Sequence, residues 1–139
     1  MTPIFIDTSF FVALALEDDA LWRLAHAWLK VLQGPFVTTE FVLLEIGDSL
    51  SKVHLRPVAL NILSYAADDP MVTIVPADSN LFERGRALFQ QRLDKEWSLT
   101  DCISFEVMRE MKITDALTHD HHFAQAGFRA LLREAPPNN

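Results

Sequence analysis

The chain has 139 residues, of which 50% are hydrophobic and 22% are charged. This length suits one domain with its own core, and the apolar content excludes an intrinsically disordered chain. A single cysteine, Cys102, excludes an internal disulfide, and the first residues lack the pattern of a secretion signal or membrane span. We therefore expect a cytoplasmic protein without membrane attachment. Acidic residues outnumber basic ones by 19 to 12, and the net charge of −7 taken alone argues against a nucleic-acid partner.

Short apolar runs alternate along the chain with longer stretches of helical periodicity. In chain order we predict a strand over 3–7, a helix capped by Thr8 or Ser9, a helix from 18 or 19 to about 32, a strand over 36–38, helices over 40–53 and 56–67, a strand over 71–75, helices over 78–93 and 98–111, a strand over 116–118 and an edge strand over 128–132. Strands joined through helices predict an α/β fold with a central, mostly parallel sheet that is covered on both faces.

Acidic residues follow two of the predicted strands. Asp7 ends the first strand and Asp120 lies just beyond the fourth, so parallel pairing delivers both carboxylates to one edge of the sheet. Each residue also has an ordinary structural interpretation, because aspartate is common in turns and at helix starts. Asp101 has the spacing from Ser98 of a capping box, and Glu45 either lies beside the buried stripe of its helix or faces solvent.

The combination of these acids points to chemistry more strongly than any one of them. No lysine or arginine is adjacent in sequence to Asp7, Glu45, Asp101 or Asp120, so the four carboxylates would repel one another in a shared pocket. A divalent cation removes this repulsion, and ligands that are all oxygen favour Mg²⁺, with Mn²⁺ as the alternative. Such ions activate water and stabilise a leaving oxygen in phosphodiester cleavage. The pattern therefore predicts a nuclease.

Four segments taken in order resemble the motifs of the PIN-domain family, especially its VapC-like toxin branch: IFIDTSFFVAL, TTEFVLLEIGDSLSK, WSLTDCISFEVMREMKI and DALTHDHHFAQAGF. The resemblance covers residues 4–131 and implies a PIN-like three-layer α/β/α sandwich over 1–134, followed by a flexible tail over 135–139. It implies a metal-dependent endoribonuclease, the toxin of a type II toxin–antitoxin pair, with RNA as substrate, a small antitoxin as partner and a homodimeric assembly. Its acidic ligands correspond to Asp7, Glu45, Asp101 and Asp120, and its supporting hydroxyls to Thr8, Ser9 and Thr118.

Several nearby residues have open roles. His119, His121 and His122 bracket Asp120, but a tight turn prevents all three from pointing inward, and one of them could instead contact a substrate phosphate. Lys52 lies about two helical turns beyond Glu45 and could reach a flanking phosphate or belong to a solvated face. Asp115 is a further acid expected at the opposite sheet edge. We expect Cys102 to be a buried residue rather than a nucleophile.

Three other functions remain open at this point. A stand-alone RNA-processing nuclease would use the same four acids, whereas a non-catalytic PIN-like binding module would not need them. An Asp-nucleophile phosphohydrolase would use Asp7, but haloacid-dehalogenase-like enzymes carry a second Asp two residues later, where this chain has Ser9. The apolar segments 22–32 and 58–65 could form the dimer surface, the antitoxin groove or part of the core.

Overall fold

The computed structural model describes residues 2–138 and contains five strands and seven helices in that range. The elements are β1 (Ile4–Ile6), α1 (Thr8–Ala15), α2 (Trp22–Val31), β2 (Phe36–Thr39), α3 (Glu40–Ser49), α4 (Arg56–Asp68), β3 (Val72–Val75), α5 (Ser79–Gln91), α6 (Leu99–Glu110), β4 (Asp115–Leu117), α7 (His121–Gln125) and β5 (Arg129–Ala130), with short 3₁₀ helices at Val53–Leu55 and Leu131–Arg133. The predicted alternation of strands and helices is confirmed.

The five strands form one parallel sheet in the order β3-β2-β1-β4-β5. From the central β1, the chain extends the sheet first through β2 and β3 and later on the other side through β4 and β5. The direction therefore reverses between β1 and β4, and this is the point where open α/β sheets bind ligands beyond the carboxyl ends of their strands. The predicted α/β/α class and parallel sheet are correct.

An aromatic chain in the core connects this edge of the sheet with the helices beside it. Phe105 of α6 packs edge-on against Trp97 and Phe123, with ring centroids 5.0 and 4.9 Å apart, and Phe123 in turn lies 6.3 Å from Phe5 of β1. Phe5, Phe105 and Phe123 are fully buried. Edge-to-face pairs add about 0.5–1.5 kcal/mol each beyond area burial, so α6, α7 and β1 are held in a fixed relation.

Some element boundaries differ from the sequence-based predictions. Helix α1 begins at Thr8, and Asp7 occupies its N-cap position without a side-chain cap bond, so the prediction that Thr8 or Ser9 caps the helix is wrong. Their hydroxyls bond residues from distant parts of the chain instead. Helix α3 ends at Ser49 rather than near 53, and the last strand contains only Arg129–Ala130. Helix α7 was not predicted, because its five residues are too short to show a period.

The end of the chain lacks regular secondary structure over residues 135–138, and Asn139 lies outside the described residues, as does Met1. The boundaries 1–134 for the domain and 135–139 for a flexible tail therefore stay predictions. None of the helices in the described part of the chain combines the length and the apolar composition needed to cross a membrane.

Candidate active site

Asp7 and Thr118 meet at the carboxyl end of the two central strands. The register pairs Ile6 with Leu117, so the next residue on each strand lies side by side. The Thr118 hydroxyl donates to Asp7 Oδ2 at 2.9 Å, and Thr118 Oγ1 also accepts from the backbone N–H of Asp120 at 3.0 Å. One buried hydroxyl therefore links the first acid to the fourth across 113 residues of sequence.

Asp7 is buried, with 6% of its surface exposed, and its pKa is raised to about 7. Burial is the main cause, and the charges of Asp101 and Glu45 raise the pKa further, whereas hydrogen bonds from Thr118 and the Thr8 backbone lower it. Asp7, Asp101 and Glu45 are therefore close enough to interact. A cation next to Asp7 would stabilise its charged form, which burial and the neighbouring acids disfavour.

Asp101 has both of the roles that its spacing permits. It completes the predicted capping box, because Ser98 Oγ accepts from Asp101 N at 2.9 Å and Asp101 Oδ2 accepts from Ser98 N at 3.1 Å. The same side chain faces the other acids at the start of α6. Burial raises the pKa of Asp101, Asp120 raises it further, and the hydrogen bonds from Ser98 and His122 oppose the rise.

Glu45 joins the site through α1. Its Oε1 accepts a short hydrogen bond from the Thr8 hydroxyl, which lies directly after Asp7. The contact orients Glu45 toward the acids rather than toward solvent. Ser9, the next residue, lies 3.4 Å from Thr118 Oγ1 and accepts from the backbone of His119 at 3.2 Å. Of the three predicted supporting hydroxyls, those of Thr8 and Thr118 bond an acid directly, and that of Ser9 lies next to Thr118.

Asp120 begins helix α7 and caps it. Its Oδ1 accepts from the backbone N–H of His122 at 2.9 Å. For Glu45, Asp101 and Asp120, one carboxylate oxygen is held by protein donors while the other receives no hydrogen bond from residues 2–138. Carboxylates fixed in this way by a second set of donors are typical of metal ligands, and a divalent cation fits this donor set.

The spacing of the acids favours an ion that retains water. Within residues 2–138, no three of the four carboxylates have ligand atoms within 4.8 Å of one another. Mg²⁺ binds through one or two carboxylates and keeps several waters, so an open arrangement of oxygens suits it better than a compact cage. The ligand atoms of Asp120, His121 and His122 do lie within 4.8 Å of one another, but they come from consecutive residues of one turn.

Only one of the three histidines is turned inward. His119 and His121 are exposed, whereas His122 retains 19% side-chain exposure and directs Nδ1 toward Asp101. The expectation that the tight turn prevents all three from pointing inward is confirmed. The sequence did not identify His122 among the three, because a His-rich turn without a visible helical period gives no orientation.

The basic residues around the site differ from those expected. Lys52 is exposed and lies beyond the end of α3, so the premise that it continues the helical face of Glu45 is wrong. Arg133, which sequence reasoning missed, donates through Nη1 to the His119 carbonyl at 3.1 Å. Its guanidinium has no carboxylate within 4.0 Å in the described part of the chain, whereas Arg92 and Arg129 are both paired.

Two further residues behave as expected. Cys102 is fully buried, and burial together with the charge of Asp101 raises the pKa of its thiol to about 11, which excludes a reactive thiolate at neutral pH. Asp115 begins β4 at the opposite sheet edge, where it lies 3.6 Å from Arg129. Neither belongs to the acid cluster.

A parallel α/β sheet that presents acidic side chains beyond its central strands is an arrangement in which a divalent ion could act on phosphodiester bonds. A family model described as PIN domain matches residues 4–129, and the chain belongs to the PIN domain family. The chain is an endoribonuclease of the toxin–antitoxin class that depends on a divalent metal. This confirms the resemblance seen in the sequence.

Two comparisons agree with this assignment. The chain is 29% identical over 127 residues to the 23S rRNA-specific endonuclease VapC20 of Mycobacterium tuberculosis, in strains CDC 1551 and H37Rv, covering 90% of this chain and 95% of the relative. The crystal structure of M. tuberculosis VapC20, a Sarcin-Ricin loop cleaving toxin, superposes with a TM-score of 0.83 at 28% identity, covering 90% of this chain and 95% of that one.

Proposed function

We propose that Asp7, Glu45, Asp101 and Asp120 form the catalytic centre and hold Mg²⁺, with Mn²⁺ able to replace it. The observation that supports this most directly is the pairing of oriented carboxylates with protein donors at the switch between β1 and β4. Thr118, Thr8 and Ser98 donate to Asp7, Glu45 and Asp101 and fix their orientations. When bound, the ion would supply activation of water and stabilisation of the leaving oxygen.

The proposed substrate is ribosomal RNA, as in the 23S rRNA-specific relative. The similarity over 90% of this chain and 95% of the relative supports the same substrate class. Arg133 is proposed to contact a phosphate flanking the acids, because its guanidinium bonds the His119 carbonyl in the turn that carries Asp120 and has no carboxylate partner among residues 2–138. Lys52, which is exposed and lies beyond the end of α3, is retained as a second proposed phosphate contact.

Cleavage of defined RNA hairpins tests this function. One hairpin carries the sarcin–ricin loop of 23S rRNA, and a second has the same stem with a shuffled loop. We expect Mg²⁺- or Mn²⁺-dependent cleavage of the first, none in EDTA, and a loss of about 100-fold or more for Asp101→Asn because a carboxylate ligand is removed.

Asp48→Asn is the matched control, since Asp48 is an exposed acid on the same helix as Glu45 but is not a proposed ligand, and it should cleave like the wild type. Cleavage in EDTA, or equal rates for Asp101→Asn and the wild type, would contradict the proposed metal centre. Equal cleavage of both hairpins would contradict only the proposed substrate.

The proposed antitoxin site is an apolar cleft of about 230 Å³ between α1, α2 and α4. Its lining residues are Phe11, Leu14, Ala15, His26, Leu29, Asn61, Ile62 and Tyr65. Phe11 lies one helical turn beyond Thr8, so a peptide seated in the cleft could continue into the acid cluster. Of the three uses considered for segments 22–32 and 58–65, this cleft favours the antitoxin groove, although Trp28 belongs to the core.

A homodimer is proposed through the outer face of α3 and α5. Leu44 is 63% exposed, and Phe82 lies 6.4 Å from Phe41 between ring centroids while remaining 37% exposed. Apolar side chains grouped on adjacent helices are typical of a subunit interface. Light scattering coupled to size-exclusion chromatography should give twice the chain mass, and Leu44→Lys should reduce it to one chain mass.

A further inference from the structure

His122 is the side chain that contacts two of the four acids. Its Nδ1 lies 3.1 Å from Asp101 Oδ2 in hydrogen-bonding geometry, and 3.2 Å from Asp120 Oδ1. An Nδ1 atom facing two carboxylate oxygens has to carry a hydrogen, because a ring nitrogen without one would turn its lone pair toward both anions. The ring therefore lies between the acid at the start of α6 and the acid at the start of α7.

The position of His122 is fixed by its neighbours. Phe123, the next residue, is fully buried against Phe105 and Phe5. Gln125, one turn along α7, accepts through Oε1 a hydrogen bond from Trp97 Nε1 at 3.0 Å. Contacts on both sides of the turn hold α7 against α6, so the distances from His122 to the acids are set by packing rather than by a free side chain.

The two contacts determine which oxygens stay free. Asp101 Oδ2 receives both Ser98 N and His122 Nδ1, and Asp120 Oδ1 receives the His122 backbone and faces the same ring nitrogen. Asp101 Oδ1 and Asp120 Oδ2 receive no hydrogen bond from residues 2–138. We propose that His122 is a positioning residue that joins Asp101 and Asp120 through Nδ1–H and presents their other oxygens to the metal ion.

A direct role as a metal ligand is the competing assignment. Nδ1 carries a hydrogen in the contacts described, so the ligand atom would be Nε2, which the ring separates from both carboxylates. Carboxylate oxygens are the ligands that Mg²⁺ prefers, whereas imidazole suits softer transition ions. The positioning role uses the contacts as they stand, and it rests on the metal centre proposed above.

Mn²⁺ binding followed by electron paramagnetic resonance tests the inference without measuring RNA cleavage. We expect His122→Ala to bind Mn²⁺ about 10–100-fold more weakly, the size of effect typical of residues that orient metal ligands. His122→Asn should recover most of the affinity, because the Asn amide nitrogen replaces Nδ1, whereas His122→Gln places its nitrogen near Nε2 and should resemble His122→Ala. His119→Asn is the matched control, because His119 belongs to the same turn, is exposed, and contributes only backbone atoms to the hydrogen bonds among residues 2–138.

A second readout uses the metal-free wild type. Long-range ¹H–¹⁵N NMR at pH 8, with the His122 signals assigned from the His122→Asn spectrum, should show the hydrogen on Nδ1. A hydrogen on Nε2 alone, or unchanged Mn²⁺ affinity in His122→Ala, would overturn the inference while leaving the metal centre intact. Failure of the wild type to bind Mn²⁺ would overturn the metal centre and this inference with it.

Discussion

The Asp7 carboxyl is costly for the fold and useful for the site. It lies at the end of a buried strand with two other acids nearby, and its pKa is raised to about 7 from an ordinary value of 3.8. Between these two pH values the folded protein binds a proton that the unfolded chain has lost, so its stability falls as pH rises. Above pH 7, the raised pKa of Asp7 lowers the free energy of unfolding of the metal-free protein by on the order of 4 kcal/mol.

Replacing this carboxyl should therefore stabilise the metal-free protein while removing activity. Asp7→Asn keeps an oxygen that can accept from Thr118 but carries no charge. We expect its advantage over the wild type in free energy of unfolding to grow by about 3 kcal/mol between pH 5 and pH 8. Urea unfolding in EDTA at both pH values measures this. A difference that is constant with pH, or one shared by the exposed control Asp48→Asn, would contradict the raised pKa.

Sequence reasoning could place three of the four acids from local signals, because Asp7 and Asp120 follow strands and Asp101 begins a helix at a recognisable spacing, whereas Glu45 entered the set through the family resemblance. Those local signals survive folding, as the capping box of Ser98 and Asp101 demonstrates. His122 and Arg133 could not be singled out, because their roles depend on contacts with Asp101 and with the His119 carbonyl that arise only in the folded chain. The roles of the acids as metal ligands remain predictions.

Among the elements, α5 and α6 approach each other closely at a glycine. A Cβ added to Gly85 would lie 2.2 Å from Ile103 Cγ1 and 3.1 Å from the Ile103 backbone, so the two helices would have to separate. Gly47 in α3 has no atom within 4 Å of the corresponding position. Glycine is thus required for the close packing of α5 against α6 at Gly85, whereas Gly47 has no packing role in α3.

These two glycines give a matched pair of substitutions with opposite expected signs. Gly85→Ala should destabilise the protein by about 2 kcal/mol, because overpacking outweighs the gain in helix propensity. Gly47→Ala should stabilise it by up to about 1 kcal/mol, since only the propensity changes. Thermal unfolding of both variants at one pH checks the prediction. A stabilised Gly85→Ala variant would show that α5 and α6 are not in close contact at this point.

Element types were predictable from periodicity, but element ends were not always so. The helical pattern continues past Ser49 to Val53, yet α3 stops at Ser49 and the chain passes through the 3₁₀ helix Val53–Leu55 into α4. Helix α7 depends on the cap from Asp120 and on the burial of Phe123 rather than on its own propensity. Such short elements are stable only in their tertiary context.

At the scale of the whole molecule, part of the net charge of −7 comes from acidic residues of the proposed metal site. Without the four proposed ligands, 15 acidic residues face 12 basic ones, so much of the excess lies in one pocket. A bound divalent ion reverses the effect of that pocket on phosphate groups. The acidic balance is thus compatible with an RNA substrate, and the remaining negative excess limits non-specific attraction to RNA.

The apolar cleft leads to a prediction for the assembled toxin and antitoxin. We expect that Tyr65→Glu, at the cleft, will keep RNA cleavage but lose complex formation and growth rescue when co-expressed with a small antitoxin encoded beside it. The added charge would be buried by a docked apolar segment. Leu60→Glu is the control on the same helix, because Leu60 is 63% exposed and does not line the cleft. Equal rescue of both variants would place the antitoxin elsewhere.

The contact between Thr118 and Asp7 also determines when the site can form during synthesis of the chain. A ribosome makes Asp7 early and Thr118 about 110 residues later, and the Thr118 carbonyl is itself bonded by Leu132 N at 3.0 Å. A nascent chain that ends before Thr118 contains Asp7 but lacks both Thr118 and Asp120. The proposed catalytic centre therefore cannot be completed on the ribosome before Asp120 has been translated.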